Sequence, residues 1–561
     1  MKSIRQALVL FLLAFAFFSF NQSEKPNSSE KPPNILWLVA EDLSPYIAAF
    51  GDSTVSTPNL DWLASEGVVY ENVFSPSPVC APSRSALATG MYPTQMGANH
   101  MRTGPWFMWP LPPAAEKMFE QQEKDGARFY EAIPAPEVKM FTEYLRNAGY
   151  YCTNNSKEDY QFRRTLTAWD ECSPQAHWKN RKEGQPFFAM KTFMVTHESQ
   201  IWAKAKDSLW VDEDLEVPVP PYLPNTEVAK KDIRRMYSNI KEMDAQVGEM
   251  IQELKDAGEL ENTIIVWFTD HGGPLPRQKR LIYDSGLQVP MIIRYPSKEK
   301  AGTREDRLIS FVDFVPTAMS MVGIEPPAYM NGKAFAGSYE AKEREYIYAA
   351  SDRYDESTDA LRAVRDNRYL YVRNFKPELP RFLHVSYRDQ MPIMQELYRL
   401  RDEGKLTPEQ ALWFAETKPE EELYDTWNDP HQLHDIAGEA ALQAKKTEFK
   451  KALESWISST NDLNLIPEDS LLTKIWPEGH KPQTATPEIK KVAKADGSGS
   501  QFIVTCSTPG ASLAYKIVER GGNPDNQHWN IYHKPVDAVP GKEFVVVAHR
   551  IGYNPIEIRH E

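Results

Sequence analysis

The stretch Asn34-Ile-Leu-Trp-Leu-Val-Ala40, closed by Glu41-Asp42, is an unbroken apolar run of strand length. A continuous run, in place of alternation, predicts a strand buried on both faces, as in a mostly parallel sheet flanked by helices. In open sheets of that kind, ligands and catalytic groups gather beyond the carboxyl ends of the strands. Two adjacent carboxylates there are candidate ligands for a hard cation, and capping of a loop or helix is the alternative. The design recurs along the chain. Tyr150-Tyr-Cys-Thr153 runs into Asn154-Asn-Ser-Lys-Glu-Asp159, and Pro186-Phe-Phe-Ala-Met-Lys-Thr-Phe-Met-Val195 delivers Thr196-His197-Glu198. Thr263-Ile-Ile-Val-Trp-Phe268 ends in Thr269-Asp-His-Gly272. Helical spacing of Ile233, Met236, Ile240, Met243, Val247 and Leu254 predicts a core-facing helix from Glu227 to Ala257, stopped by Gly258, and a second helix is read over 137–148.

At 561 residues the chain exceeds one ordinary core and reads as two or three domains. A net charge of −14 argues against nucleic acid and anionic membrane surfaces as partners, so an anionic substrate requires a local cationic pocket. Met1-Lys-Ser-Ile-Arg5 with the apolar run Ala7 to Phe20 has the form of a secretory signal over residues 1–22, too short for a stable membrane span, which predicts a periplasmic or secreted protein. The four cysteines are too few for a disulfide scaffold, and proximity in sequence leaves Cys152 with Cys172 as the pair to consider.

The densest chemistry lies in Ser75-Pro-Ser-Pro-Val-Cys-Ala-Pro-Ser-Arg-Ser-Ala-Leu-Ala-Thr-Gly90. Pro82 suits the first turn of a helix and Ser83 can satisfy a free amide there, so Cys80 is placed at a helix end that favours anions. The segment resembles the signature of the sulfatase family, carried by Cys80, Pro82, Ser83, Arg84, Leu87, Thr89 and Gly90, in which the cysteine is converted to formylglycine (3-oxoalanine). Other stretches resemble the family too: Asn34-Ile before the acidic pair, Thr57-Pro-Asn-Leu-Asp61, the Gly149-Tyr150 segment with Lys157, Pro186-Phe-Phe with His197, Ser310-Phe-Val-Asp-Phe-Val-Pro-Thr317, and Glu422-Leu-Tyr-Asp-Thr-Trp-Asn-Asp-Pro430. Two positions depart from its pattern: Glu41 stands where the family has aspartate, and Asp159 where it has histidine.

The resemblance implies an alkaline-phosphatase-like α/β fold with a smaller antiparallel C-terminal subdomain, and hydrolysis of sulfate esters. It assigns the metal to Asp42, Asp270 and His271, with Glu41 and the modified Cys80 as further ligands. Arg84, Lys157 and Lys279 would neutralise the sulfate oxygens, Arg280 being the fallback for Lys279, and His197 would protonate the leaving alcohol. Asp159 would act as a base or orient a neighbour. His100 and Arg102, in the loop after the Cys80 segment, are either sugar contacts or solvated. Dominance of carboxylate oxygens favours Ca²⁺, while the nitrogen of His271 keeps Mn²⁺ and Zn²⁺ open. A formylglycine-generating maturation enzyme is then a required partner, and a sulfated polysaccharide or its oligosaccharides the expected substrate. A phosphodiesterase or phosphonate hydrolase of the same superfamily and a non-catalytic glycan-binding protein are the rival readings.

The domain reading is a catalytic part over 33–345, a subdomain over 346–475 containing strands at Tyr346–Ser351 and Leu361–Asn374, a Pro- and Thr-rich linker, and an accessory β-sandwich over 488–561. For the last, packing on the catalytic part is preferred over sugar binding.

Overall fold

The computed structural model describes residues 31–104, 113–124, 129–524 and 527–561, so the expected signal segment lies outside the described residues. Among these residues no helix is long and apolar enough to cross a membrane.

Nine strands form the main sheet: β1 (Asn34–Ala40), β2 (Val68–Phe74), β3 (Tyr151–Asn155), β4 (Glu171–Cys172), β5 (Phe187–Phe193), β6 (Thr263–Thr269), β7 (Gln288–Arg294), β8 (Thr303–Glu305) and β9 (Ile309–Ser310). Their order is β4-β3-β5-β1-β6-β7-β2-β8, with β9 also on β2. Pairing is mostly parallel, and β7 runs antiparallel to both neighbours. As the unbroken apolar run requires, every residue of β1 is buried. On one face Trp37 packs among Phe141, Phe188, Phe268 and Phe314. The other face is covered by the helix Glu227–Asp256, whose Ile233, Ile240, Met243 and Val247 are buried with Leu36 and Leu38 of β1. Each large apolar side chain so buried contributes about 1.5–3 kcal/mol.

Register decides where the chemistry emerges. Ala40 is level with Phe193 of β5 and with Thr269 of β6. The residues after these three strand ends, Glu41-Asp42, Met194 to Glu198 and Asp270-His271, therefore leave the sheet side by side. Asn155 at the end of β3 lies opposite Lys191 of β5, which brings the Lys157 loop to the same edge.

Two local expectations are corrected. The helix read over 137–148 is confined to Thr142–Asn147, because the Phe141 amide donates to Ala88 O at 2.9 Å and the preceding residues turn inward to bury Val138 and Met140. Cys152 and Cys172 are both free. Cys172 sits opposite Asn154, one side-chain repeat along β3 from Cys152, and its thiol lies 2.9 Å from Glu158 Oε1.

Ile347–Ser351, Leu361–Arg365, Tyr369–Asn374 and Glu421–Asp425 form a four-stranded antiparallel sheet. Beyond it, Glu488–Ala493, Ser500–Thr505 and Val536–Asp537 make one small sheet, and Asn530–Ile531, Ser512–Glu519, Lys542–His549 and Ile556–His560 make another. Phe502 and Phe544 stack at 4.5 Å in the core they share. This region is hydrogen-bonded to the segment before β3: Lys139 Nζ donates to Gly510 O at 2.6 Å, Ser512 Oγ to Glu143 at 2.7 Å and Arg146 to Trp529 O at 2.5 Å.

Candidate active site

Cys80 is the first residue of the helix Cys80–Thr89, and its side chain is fully buried. No side chain caps this helix start; the Ser83 hydroxyl, read from sequence as a cap for a free amide, donates to the Asp270 carbonyl and pins the first turn to the end of β6. Cys80 Sγ is 3.3 Å from His271 Nε2, 3.9 Å from Asp42 Oδ1 and 4.0 Å from Glu41 Oε2. Burial pushes the thiol up, but Lys157 and Lys279 outweigh it and bring Cys80 down to about 7. The direction matches a site built for negative charge at this position.

Each carboxylate around Cys80 meets a cation. Glu41 is paired with Arg84 and Lys157, and its amide donates to Thr196 Oγ1 at 3.1 Å. Asp42 has φ of 44°, in the left-handed region, a conformation uncommon outside glycine and concentrated at functional sites. That geometry lets its amide donate to Asp270 Oδ1 at 3.1 Å while its own carboxylate accepts from Glu198 N at 2.7 Å and from Lys279 Nζ at 2.8 and 3.0 Å. Asp270 accepts from Arg84 Nε at 3.1 Å. His271 Nε2 lies 3.1 Å from Asp42 Oδ1; burial lowers the imidazole, yet Asp270, Cys80 and Asp42 together raise it to about 10. Gly272 permits this corner, since a Cβ there would stand 2.2 Å from Ser285 O.

His197 Nδ1 is 2.9 Å from Ser199 Oγ, which orients the ring, and Nε2 is 3.4 Å from Lys279 Nζ. A cavity of about 580 Å³ opens beside this group, lined by Lys157, Asp159, His197, Arg102, Lys191 and Thr192 among others. Asp159 accepts from Arg102 at 2.8 Å and lies 3.9 Å from Lys157. Of the two loop residues read from sequence, Arg102 reaches this cavity. His100 does not line it: the imidazole is buried, held neutral at about 4 by desolvation, and accepts at Nδ1 from Arg353 N at 3.4 Å.

The sequence reading gave Glu198 no role and placed Arg280 only as a substitute for Lys279. Glu198, 1% exposed, accepts from both ends of the Arg280 guanidinium at 2.8 and 2.9 Å and lies 3.2 Å from Lys279. Arg280, read as a substitute for Lys279, is thus bound to Glu198 and to Asp355 at 3.3 Å. The adjacency of Glu198 to His197 and of Arg280 to Lys279 was the available signal.

The donor set suits a hard cation. Asp42, Asp270, His271 and Cys80 each offer one atom within 4.8 Å of the others, as do Glu41, Asp42, Cys80 and His197, and all are buried.

A mostly parallel sheet presenting this constellation at its carboxyl edge fits a hydrolase of anionic esters. Residues 33–324 match the sulfatase family model, and residues 277–399 that of the C-terminal part of N-sulphoglucosamine sulphohydrolase. The chain belongs to the sulfatase family and is a sulfuric ester hydrolase. It is 46% identical to an ulvan-active sulfatase of Formosa agariphila over 95% of this chain and 92% of that protein. Among solved structures, one in complex with its substrate D-glucosamine-2-N,6-O-disulfate superposes with a TM-score of 0.54 at 17% identity, covering 77% of this chain and 99% of that one. A phosphonate monoester hydrolase of Agrobacterium radiobacter superposes with a TM-score of 0.51 at 16% identity, covering 78% and 98%. The last two establish the fold alone.

Proposed function

We propose that this enzyme removes sulfate from a sulfated polysaccharide or its oligosaccharides, ulvan being the first candidate, and that Cys80, converted to formylglycine, supplies the nucleophile. The observation that carries this is the convergence on Cys80 of Arg84, Lys157 and Lys279 with His197, at one sheet edge and beside an open cavity. The polysaccharide rests on the 46%-identical relative, named as ulvan-active.

Asp42, Asp270 and His271, with Glu41 alongside, would hold a divalent cation, Ca²⁺ fitting the oxygen-rich set better than Mn²⁺ or Zn²⁺. Such an ion supplies Lewis-acid stabilisation of negative charge beside residue 80. The protein's own groups do the rest. Lys157, Lys279 and Arg84 offset charge on the sulfate oxygens. His197, its ring fixed through Ser199, gives a proton to the departing sugar oxygen from Nε2. Asp159 orients Arg102 at the cavity and is not itself within hydrogen-bond reach of Lys157.

Export to the periplasm or beyond, removal of residues 1–22 and the division into 33–345, 346–475 and 488–561 belong to the same reading, supported by the signal-like N-terminus and by the separate sheets of the C-terminal half. The deciding experiment pairs peptide mass analysis of residue 80 in natively expressed protein with sulfate release from ulvan oligosaccharides. An active sample whose peptide carries only unmodified cysteine would remove the nucleophile from the scheme.

A further inference from the structure

Lys191 is out of place in its strand. It interrupts the apolar run Phe187-Phe-Ala-Met190, and β5 is an interior strand, paired on one side with β3 and on the other with β1. Lysine is depleted in strands generally, and a buried parallel strand is the setting least suited to it. It stands two residues before the carboxyl end of β5, at the edge where the catalytic groups emerge, and it lines the same cavity as Lys157 and His197.

Its partners do not account for it. Lys191 Nζ donates to the neutral Asn155 Oδ1 at 2.5 Å, and no carboxylate forms an ion pair with it among the described residues. Glu249 and Glu253, on the helix Glu227–Asp256, act on it only at longer range. Glu253 is already engaged by His177 at 2.7 Å and Lys179 at 2.6 Å, and Glu249 is exposed. Lys157, Lys279 and Arg84, by contrast, each hold a carboxylate beside Cys80. A half-buried ammonium with only a neutral amide partner keeps a desolvation cost that an anion in the cavity would offset.

We infer that Lys191 forms a second anion subsite in the cavity, holding a carboxylate or a further sulfate of the substrate while the ester to be cleaved lies at Cys80. This rests on the reading of the cavity as the substrate site. At about 580 Å³ the cavity is within the range of roughly 300–1,000 Å³ that encloses small-molecule ligands, so there is room for more than the reacting sulfate. The substrate class is thereby narrowed to polyanionic glycans, with two charged groups presented together.

The test uses the mature full-length enzyme and measured sulfate release. A sulfated oligosaccharide bearing a uronate is compared with its carboxyl-reduced counterpart, and a disulfated sugar with its monosulfated form; whichever pair shows the preference identifies the second anion. The parent enzyme should show a KM about 10-fold lower for the more highly charged member of one pair, as one charge-assisted contact supplies. Lys191→Met should abolish that preference by raising KM for the more charged member, and Lys191→Arg should restore it. A general loss of packing would depress both members alike. Equal KM values in both pairs, or a preference that survives in Lys191→Met, overturns the subsite. No sulfate release from any of the sugars by the parent enzyme would defeat the reading of the cavity itself, and the subsite with it.

Discussion

Glu198 offers the sharpest test of how the site is held together, because its substitution leaves every group proposed to touch substrate in place. Its carboxylate is 1% exposed and accepts two hydrogen bonds from Arg280 at 2.8 and 2.9 Å, with Lys279 at 3.2 Å. Glu198→Gln preserves shape but removes the charge and turns an NH₂ toward the guanidinium. Breaking a buried pair costs about 3–5 kcal/mol, and the retained amide oxygen argues for the low end, about 3. With unfolding entropy of about 2.1 cal/mol/K per residue, a cooperative unit on the order of 500 residues loses roughly 3 °C in Tm. The loss must also depend on pH. Burial alone would raise the Glu198 carboxyl, but Arg280 and Lys279 prevail and hold it well below the ordinary glutamate value of 4.5. A depressed pKa stabilises fully above the unfolded value and progressively less as pH falls toward the folded one. Parent and variant should therefore differ by a constant interval from pH 8 to about 5, converging below about 4.5. Scanning calorimetry or fluorescence-monitored melting across that range measures the gap. Coincident melting at pH 7, or an interval that persists undiminished at pH 4, would refute a buried ion pair as the source.

Other outcomes follow from the same geometry. His197→Ala should lower kcat on sugar sulfates by about 10²–10⁴, and much less on an aryl sulfate whose phenol leaves without a proton; equal losses in the two initial-rate assays would remove His197 as the acid. Adding Ca²⁺ to chelator-treated enzyme should raise Tm by roughly 2–3 °C at 100 times Kd, from about 2.7 kcal/mol of binding linkage, and a variant carrying Asp42→Asn and Asp270→Asn should show no rise. Tyr387, 42% exposed, packs edge-on to Trp202 at 5.2 Å with its ring 6.4 Å from that of His197. Tyr387→Ala should raise KM for an oligosaccharide several-fold and leave kcat unchanged, as loss of a stacking face would; steady-state kinetics on an oligosaccharide and a small sulfate ester separate the two.

What the sequence revealed and withheld divides along physical lines. β1, β5 and β6 were legible because strands buried on both faces must be continuously apolar, and the charged residues that end them mark the sheet edge without any tertiary information. The helix before β3 was misjudged because its periodicity is the same whether or not Phe141 gives its amide to Ala88, a contact 53 positions away in the chain. Ser83 was read as a cap by the ordinary habit of serine at helix starts, but a neighbouring strand end offered its hydroxyl a carbonyl instead. Glu198 and Arg280 look unremarkable locally, since their partnership exists only once β5 and the loop after β6 are brought together. Lys191 was given no role in the sequence reading, and that no carboxylate among the described residues forms an ion pair with it emerges only in three dimensions.

The departures at Glu41 and Asp159 acquire a common explanation from the charge arrangement. Glu41 binds Arg84 and Lys157, Asp42 binds Lys279, Asp270 binds Arg84, Glu198 binds Arg280, and Asp159 binds Arg102. Carboxylates and fixed cations are thus matched group for group at the reacting end, which is how a chain of net charge −14 can bury so many ionised side chains beside one cysteine. The extra methylene of Glu41 carries its carboxylate to Arg84 and Lys157 together, and Asp159 supplies to Arg102 the anion that a histidine could not. With the carboxylates so matched, the surplus positive charge that meets an arriving sulfate would be that of the proposed divalent cation. Lys191 stands outside those pairs on the cavity wall, where the inferred second anion would find a further positive charge.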